Sequence, residues 1–317
     1  MNKSINKNIK IIIPGAAGLV GQNLIFQLKG KGYKNIIGID MHKKNLRILK
    51  KLHPDITTIE SDISSDSKYE KYCKNADIII MLQAQITAKN KELFIKNNIV
   101  STEKIIKTAK KYNIPYILHI SSSVVISVAK DNYTNTKKIQ ENLIIKSGIK
   151  YCILRPTLMF GWFDRKHLGW LSRFMKKIPI FPIPGNGKYL RQPLYVKDFC
   201  NIIIKALEER PLNEIYNITG KESVDYIDII KEIKKVTNSK TIILKLPYLI
   251  FYYLLKLYSV FDKNPPFTAD QLKALCAGDK FPFYNWWDRF DINPTPFKTA
   301  IHETFTNKKF SKYILDL

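Results

Sequence analysis

Tyr133 and Lys137 stand four residues apart in Tyr133-Thr134-Asn135-Thr136-Lys137, a spacing that puts both side chains on one face of a helix. A phenol has a reference pKa of about 10 and is a poor base near neutrality. An ammonium one turn away stabilises the phenolate and lowers that pKa. The pair therefore reads as a proton-exchanging site, with Lys137 also placed to hydrogen-bond the ribose of a nicotinamide. Ser121-Ser122-Ser123 lies just upstream. Ser123, the last of the three, reads as the hydroxyl that polarises a substrate carbonyl or alcohol. Ser123, Tyr133 and Lys137 are thus the candidate catalytic residues. The competing reading is that the serines cap a strand end and Tyr133 packs as an ordinary aromatic.

Far upstream, Pro14-Gly15-Ala16-Ala17-Gly18-Leu19-Val20-Gly21 sets Gly15, Gly18 and Gly21 between an apolar run and a helical pattern. This spacing suits a tight turn, close approach of backbone N–H groups to a pyrophosphate, and close packing of the helix on the sheet. Asp40 ends the next apolar run, where a carboxylate accepts hydrogen bonds from adenosine ribose hydroxyls and repels a 2′-phosphate. The expected cofactor is therefore NAD, with NADP less favoured. His42, Lys43, Lys44 and Arg47 follow closely and are the groups that would tolerate a phosphate. Asp62 is placed to reach the adenine amino group or, alternatively, to cap a helix.

These residues need a scaffold. Ile9–Ile13, Ile36–Asp40, Thr57–Glu60, Asp77–Leu82, Tyr116–Ile120 and Tyr151–Arg155 read as strands, with helical patterns between them, the clearest being Lys91–Lys111 and Tyr133–Lys146. That alternation predicts βαβ units. The expected class is α/β, a Rossmann-type doubly wound parallel sheet with a smaller, mostly helical C-terminal substrate lobe. We assign residues 8–165 to the NAD-binding domain, with 190–220 returning to it, and 166–189 and 221–317 to the substrate lobe. Trp162–Lys188 reads as one helix in long loops, Lys197–Glu209 as a helix, Glu214–Thr219 as a strand and Thr241–Leu244 as a short strand. Pro247–Phe261 is strongly apolar but too short to span a bilayer, which takes about 20 apolar residues. It reads as a helix buried in the second lobe, with contact to a membrane or partner as the alternative.

The 317 residues carry a net charge of +25. Only seven of the 52 basic residues are arginine, at 47, 155, 165, 173, 191, 210 and 289. Base and phosphate readers favour arginine, which is planar and bidentate, so no nucleic-acid partner is expected. Cys73, Cys152, Cys200 and Cys276 show no paired spacing and no Cys/His cluster, so no metal site is expected and a reducing cytoplasm is the expected compartment. Met1–Lys10 lacks the apolar stretch of a signal peptide.

Taken together the motifs resemble the extended short-chain dehydrogenase/reductases, the NAD-dependent epimerase/dehydratase family that includes UDP-galactose 4-epimerase. The resemblance runs over roughly residues 9–235. The glycine turn is similar to the family's cofactor loop, and Ser123, Tyr133 and Lys137 to its triad. It implies that Ala84, in the family's Ala-Ala-Gln position, Asn98, the family's helix asparagine, and Pro156, in Leu154-Arg155-Pro156-Thr157, line the cofactor. It further implies that Arg191, before Tyr195-Val196-Lys197-Asp198, holds the diphosphate of a nucleotide-sugar substrate. Pro14, Met81 and Gln83 depart from the pattern. So does the ten-residue step from Ser123 to Tyr133, which resembles the atypical branch. The implied activity is an NAD-dependent sugar-nucleotide oxidoreductase or epimerase (an isomerase) acting on a secondary hydroxyl or ketone. Val124 and Val125 stand where dehydratases carry carboxylates. The alternative is a non-catalytic NAD(P)-binding redox-sensing or assembly protein. Peripheral membrane contact and a homodimer are left open.

Overall fold

In a computed structural model, the structure describes residues 6–88, 90–127, 131–261, 268–278, 281 and 284–315. The first half alternates strand and helix: β1 (Ile11–Pro14), α1 (Leu19–Gly30), β2 (Ile36–Asp40), α2 (Lys43–Leu52), β3 (Thr57–Glu60), β4 (Ile78–Met81), α3 (Lys91–Phe94), α4 (Ser101–Lys111), β5 (Tyr116–Ile120), α5 (Asn132–Ile145) and β6 (Lys150–Pro156). Then come β7 (Met159–Phe160), α6 (Leu168–Lys177), β8 (Ile180–Pro184), β9 (Leu190–Arg191), β10 (Leu194–Tyr195), α7 (Val196–Glu209), β11 (Glu214–Ile218) and β12 (Val224–Asp225). The chain continues through α8 (Tyr226–Val236), β13 (Ile242–Leu246), α9 (Tyr248–Phe261), α10 (Ala269–Ala277), α11 (Trp286–Arg289) and α12 (Phe297–Thr306).

Seven strands form one sheet in the order β11-β6-β5-β4-β1-β2-β3, and every pair in it is parallel. Helices cover both faces, so β1, β2, β4 and β5 are buried along their whole length. This is why they read as continuous apolar runs rather than alternating ones. The strand order reverses between β1 and β4, and the carboxyl edge at such a switch point is where this architecture receives ligands. The C-terminal region is mostly helical, with β13 paired to β8 as a separate two-stranded sheet.

Two elements differ from expectation. The helix expected over 91–111 is interrupted by a π-helical turn, Ile95–Val100. The Ser101 and Thr102 hydroxyls then donate to the carbonyls of Asn97 and Asn98 at 2.6 and 2.7 Å, a back-bonding that competes with regular helix. The apolar segment 247–261 is a helix, but half of it faces water: Leu249, Ile250, Tyr253, Leu254, Leu257, Tyr258 and Phe261 are all exposed.

Near the C-terminus, Phe310 and Leu315 are buried against Trp162 and Phe163, with Phe26, Ile48 and Leu52 of α1 and α2 packed alongside. Phe310 lies 4.5 Å from the Trp162 ring and 5.1 Å from that of Phe26, centroid to centroid. The clasp holds Phe163 at φ +69°, a left-handed conformation that a bulky residue adopts only when its surroundings enforce it.

Candidate active site

Gly15 follows β1 at φ +80°, and a Cβ there would lie 2.6 Å from the Gln83 amide nitrogen. At Gly21 a Cβ would lie 2.3 Å from the Ala16 carbonyl oxygen. Both glycines therefore allow α1 and the turn before it to press against the carboxyl ends of β1 and β4. Gly18 is the N-cap of α1; no side chain caps the helix there and no acid sits in its first turn. The open amides and the positive end of the helix dipole suit a pyrophosphate. The Gln83 amide and the Ser121 hydroxyl are buried at the same edge with no hydrogen-bond partner among the described residues. Buried polar atoms of this kind are costly unless a ligand or water satisfies them, so the residues present fit a dinucleotide.

Asp40 is 8% exposed at the end of β2. Its Oδ2 accepts from Ala17 N at 3.0 Å, and its Oδ1 accepts from His42 N at 3.0 Å and faces His42 Nδ1 at 2.9 Å. The carboxylate thus ties the glycine turn to β2, using three of about four acceptor positions. Asp62 takes bonds from Ser64 N and Ser64 Oγ and pairs with Lys96 at 2.9 Å. Burial opposes its charge, but the bonds from Ser64, Lys96 and Ser65 hold its pKa down at about 2. The local role seen is a turn around Ser64, close to the capping alternative.

Of the three serines, Ser122 is the one whose hydroxyl acts on Tyr133. Burial raises the Tyr133 pKa, and a hydrogen bond with Ser122 opposes that rise. Ser122 is extended and half-buried, whereas Ser123 is buried and opens a short 3-10 turn, Ser123–Ile126. The turn that Ser123 opens packs against α5 as well. Lys137 is wholly buried and its Nζ donates to the Ile120 carbonyl at 3.0 Å. Burial pulls its pKa down to about 7 against the pull of Glu141. Glu141, one turn further along α5, is gripped by Arg155 of β6 through Nε at 2.9 Å and Nη2 at 2.6 Å. This fork fixes α5 to the sheet, and the spacing of the two residues in the chain gave no hint of it.

The residues that came from the resemblance fall into three positions. Asn98 is fully buried on the π-turn: its Oδ1 accepts from Gln85 N at 2.6 Å, and its Nδ2 donates to Gln85 O and Thr136 Oγ1 at 3.1 and 2.9 Å. It braces the segment after β4 against α5, with Ala84 exposed at the lip. Pro156 ends β6, in register with Ile218 of β11. Arg191 lies outside the seven-stranded sheet and donates to the Leu275 carbonyl of α10 at 2.6 Å. Asp198, which closes the Tyr195-Val196-Lys197-Asp198 run, accepts from Thr295 N and Oγ1, each at 2.8 Å. Lys166, passed over in the sequence, reaches Thr87 Oγ1 at 3.0 Å, and burial lowers its pKa to about 8. It joins the loop after β7 to the loop after β4.

A parallel sheet in this order, with a glycine turn at its switch point, defines a dinucleotide-binding Rossmann protein. The chain belongs to the NAD dependent epimerase/dehydratase family, whose sequence profile matches residues 11–219. Among characterised proteins it is similar to the mouse (Mus musculus) decarboxylating sterol-4-alpha-carboxylate 3-dehydrogenase, 22% identical over 288 residues, covering 82% of this chain and 77% of the relative. It is also similar to the mitochondrial NADH dehydrogenase [ubiquinone] 1 alpha subcomplex subunit 9 of Mus musculus, 20% identical, covering 95% of this chain and 80% of that protein. Among solved structures, the UDP-glucose 4-epimerase of Thermotoga maritima with UDP-glucose superposes with a TM-score of 0.74 at 17% identity, covering 93% of this chain and 97% of that one. This last likeness establishes the fold.

Proposed function

We propose that this chain is an NAD-dependent oxidoreductase or epimerase of sugar nucleotides, acting at a secondary hydroxyl or its ketone. The observation that carries the reading is the bond from Lys137 Nζ to the Ile120 carbonyl at the end of β5, which sets Tyr133, one turn earlier on α5, against the serine turn that follows the strand. NAD, when bound, supplies the hydride chemistry; Gly15, Gly18 and Gly21 would cradle it and Asp40 would meet its ribose. Tyr133 exchanges the proton of the substrate oxygen, neutral when it gives and phenolate when it takes. The Ser122 hydroxyl orients that oxygen, and a charged Lys137 favours the phenolate. Residues 166–189 and 221–317 form the lobe that receives the sugar nucleotide, with Arg191 as the fork for its diphosphate. Ser123, Val124 and Val125 after Ser122 offer no carboxylate, which disfavours dehydration.

The test is turnover of a panel of UDP- and dTDP-sugars with NAD(H). At least one should react. Tyr133→Phe should lower kcat about 10²–10⁴-fold while NAD still binds. Ser122→Ala should cost about 10²-fold, and Ser123→Ala far less. Arg191→Lys should raise KM with the melting temperature unchanged. A protein that binds NAD yet turns over no member of the panel would favour the non-catalytic alternative.

A further inference from the structure

We infer that α9 is an interfacial anchor that seats the protein on the surface of an anionic lipid bilayer. Its exposed residues, Leu249, Ile250, Tyr253, Leu254, Leu257, Tyr258 and Phe261, recur at i, i+1, i+4, i+5, i+8, i+9 and i+12. At helical spacing these positions fall on one half of the cylinder. Tyr253 is 65% exposed and Phe261 81%. On the other face Phe251 is buried, and Tyr252 lies under the ammonium groups of Lys256 and of Lys273 from α10. Just before the helix, β13 leaves Ile242 and Leu244 exposed, and Ile180, the register partner of Ile242 on β8, is exposed as well. An exposed apolar helix face of this extent marks an interaction site.

Length and charge select the occupant. Fourteen residues make a helix about 21 Å long, against a hydrocarbon core about 30 Å thick, so α9 can lie on a bilayer but not cross it. Among the described residues no helix is long and apolar enough to span a membrane. Tyrosines mixed with leucine and phenylalanine suit the headgroup boundary. The helix carries no acidic residue, and Lys256 on it is exposed. Lys240 precedes β13 and Lys245 lies on it, both exposed, and Lys231, Lys234 and Lys235 line an open groove of about 560 Å³ against Ile243; Lys231 also pairs with Asp228. A second copy of a chain with a net charge of +25 would be repelled from this face, whereas anionic lipid is attracted to it. Because α10 packs on α9 and supplies the carbonyl that Arg191 binds, the anchor would bring the candidate substrate arginine close to the membrane surface. This inference does not depend on the proposed reaction.

Flotation of the full chain with vesicles tests it, using phosphatidylcholine alone and phosphatidylcholine with about 30% phosphatidylglycerol. The wild type should float with the anionic vesicles and bind the neutral ones at least about tenfold more weakly. The double variant Leu254→Glu/Leu257→Glu, and independently Tyr253→Glu, should weaken flotation at least about tenfold with NAD affinity unchanged. Three results would overturn the proposal: no flotation with either vesicle, flotation that ignores the glutamates, or a concentration-dependent dimer that the glutamates break in the absence of lipid binding.

Discussion

Lys137 holds an ammonium in a fully buried position with one hydrogen bond, to the Ile120 carbonyl, although the group has three donors. In the unfolded chain its pKa is near 10.5 and in the fold it is about 7. Below pH 7 both states are charged and the fold bears the full cost of the buried charge. Between about 7 and 10 the unfolded chain binds more protons than the native one, so stability from this group rises with pH. Lys137→Met should therefore melt above the wild type at pH 6, with the gap closing as pH rises toward 10; a gap that ignores pH would exclude the mechanism. The same ammonium must stay charged to favour a phenolate. Tyr133 and Lys137 were legible from their spacing because a helix fixes which residues share a face. The serine was harder to single out, because three identical residues leave the strand end and spacing alone does not rank them.

The β1–α1 turn and the end of β2 act as one element, because Asp40 Oδ2 accepts from the Ala17 amide. The carboxylate is thereby fixed beside the amides that would take the pyrophosphate. NAD should bind at least tenfold more tightly than NADP, about 1.4 kcal/mol, and Asp40→Asn, which keeps an acceptor for Ala17, should narrow that ratio. Calorimetric titration decides it; equal affinities in the wild type would mean that the basic run from His42 to Arg47 governs the pocket. At this scale the sequence was informative for the strands of the parallel sheet, most plainly for β2 and β5, which are buried along their whole length. The ranges read for the strands ending at Asp40, Glu60 and Ile120 coincide with β2, β3 and β5. It was silent on β8, whose Pro182 and Pro184 cannot donate to a ladder and are accommodated because only β13 pairs with that strand. The π-turn was hidden as well, since its apolar spacing continues that of the flanking helix.

For the molecule as a whole, the aromatic clasp joins residues from both ends of the chain. Phe310 is buried among Phe26, Trp162 and Phe163, so Phe310→Ala should cost about 3–5 kcal/mol, read as a lowered urea midpoint. A change below 1 kcal/mol would show the clasp to be loosely held. Neither this clasp nor the outward face of α9 was legible, because hydrophobicity along a chain says that a segment seeks cover and not what covers it. The clasp also sets an order in time. Phe26 emerges from the ribosome about 280 residues before Phe310, which at 5–20 residues per second is roughly 15–60 s. During that interval the first helices can complete their side of the parallel sheet but not fully bury their outer aromatic surface. Trp162 and Phe163 can cover part of that surface midway, but the last cover, Phe310, arrives only when synthesis is nearly finished.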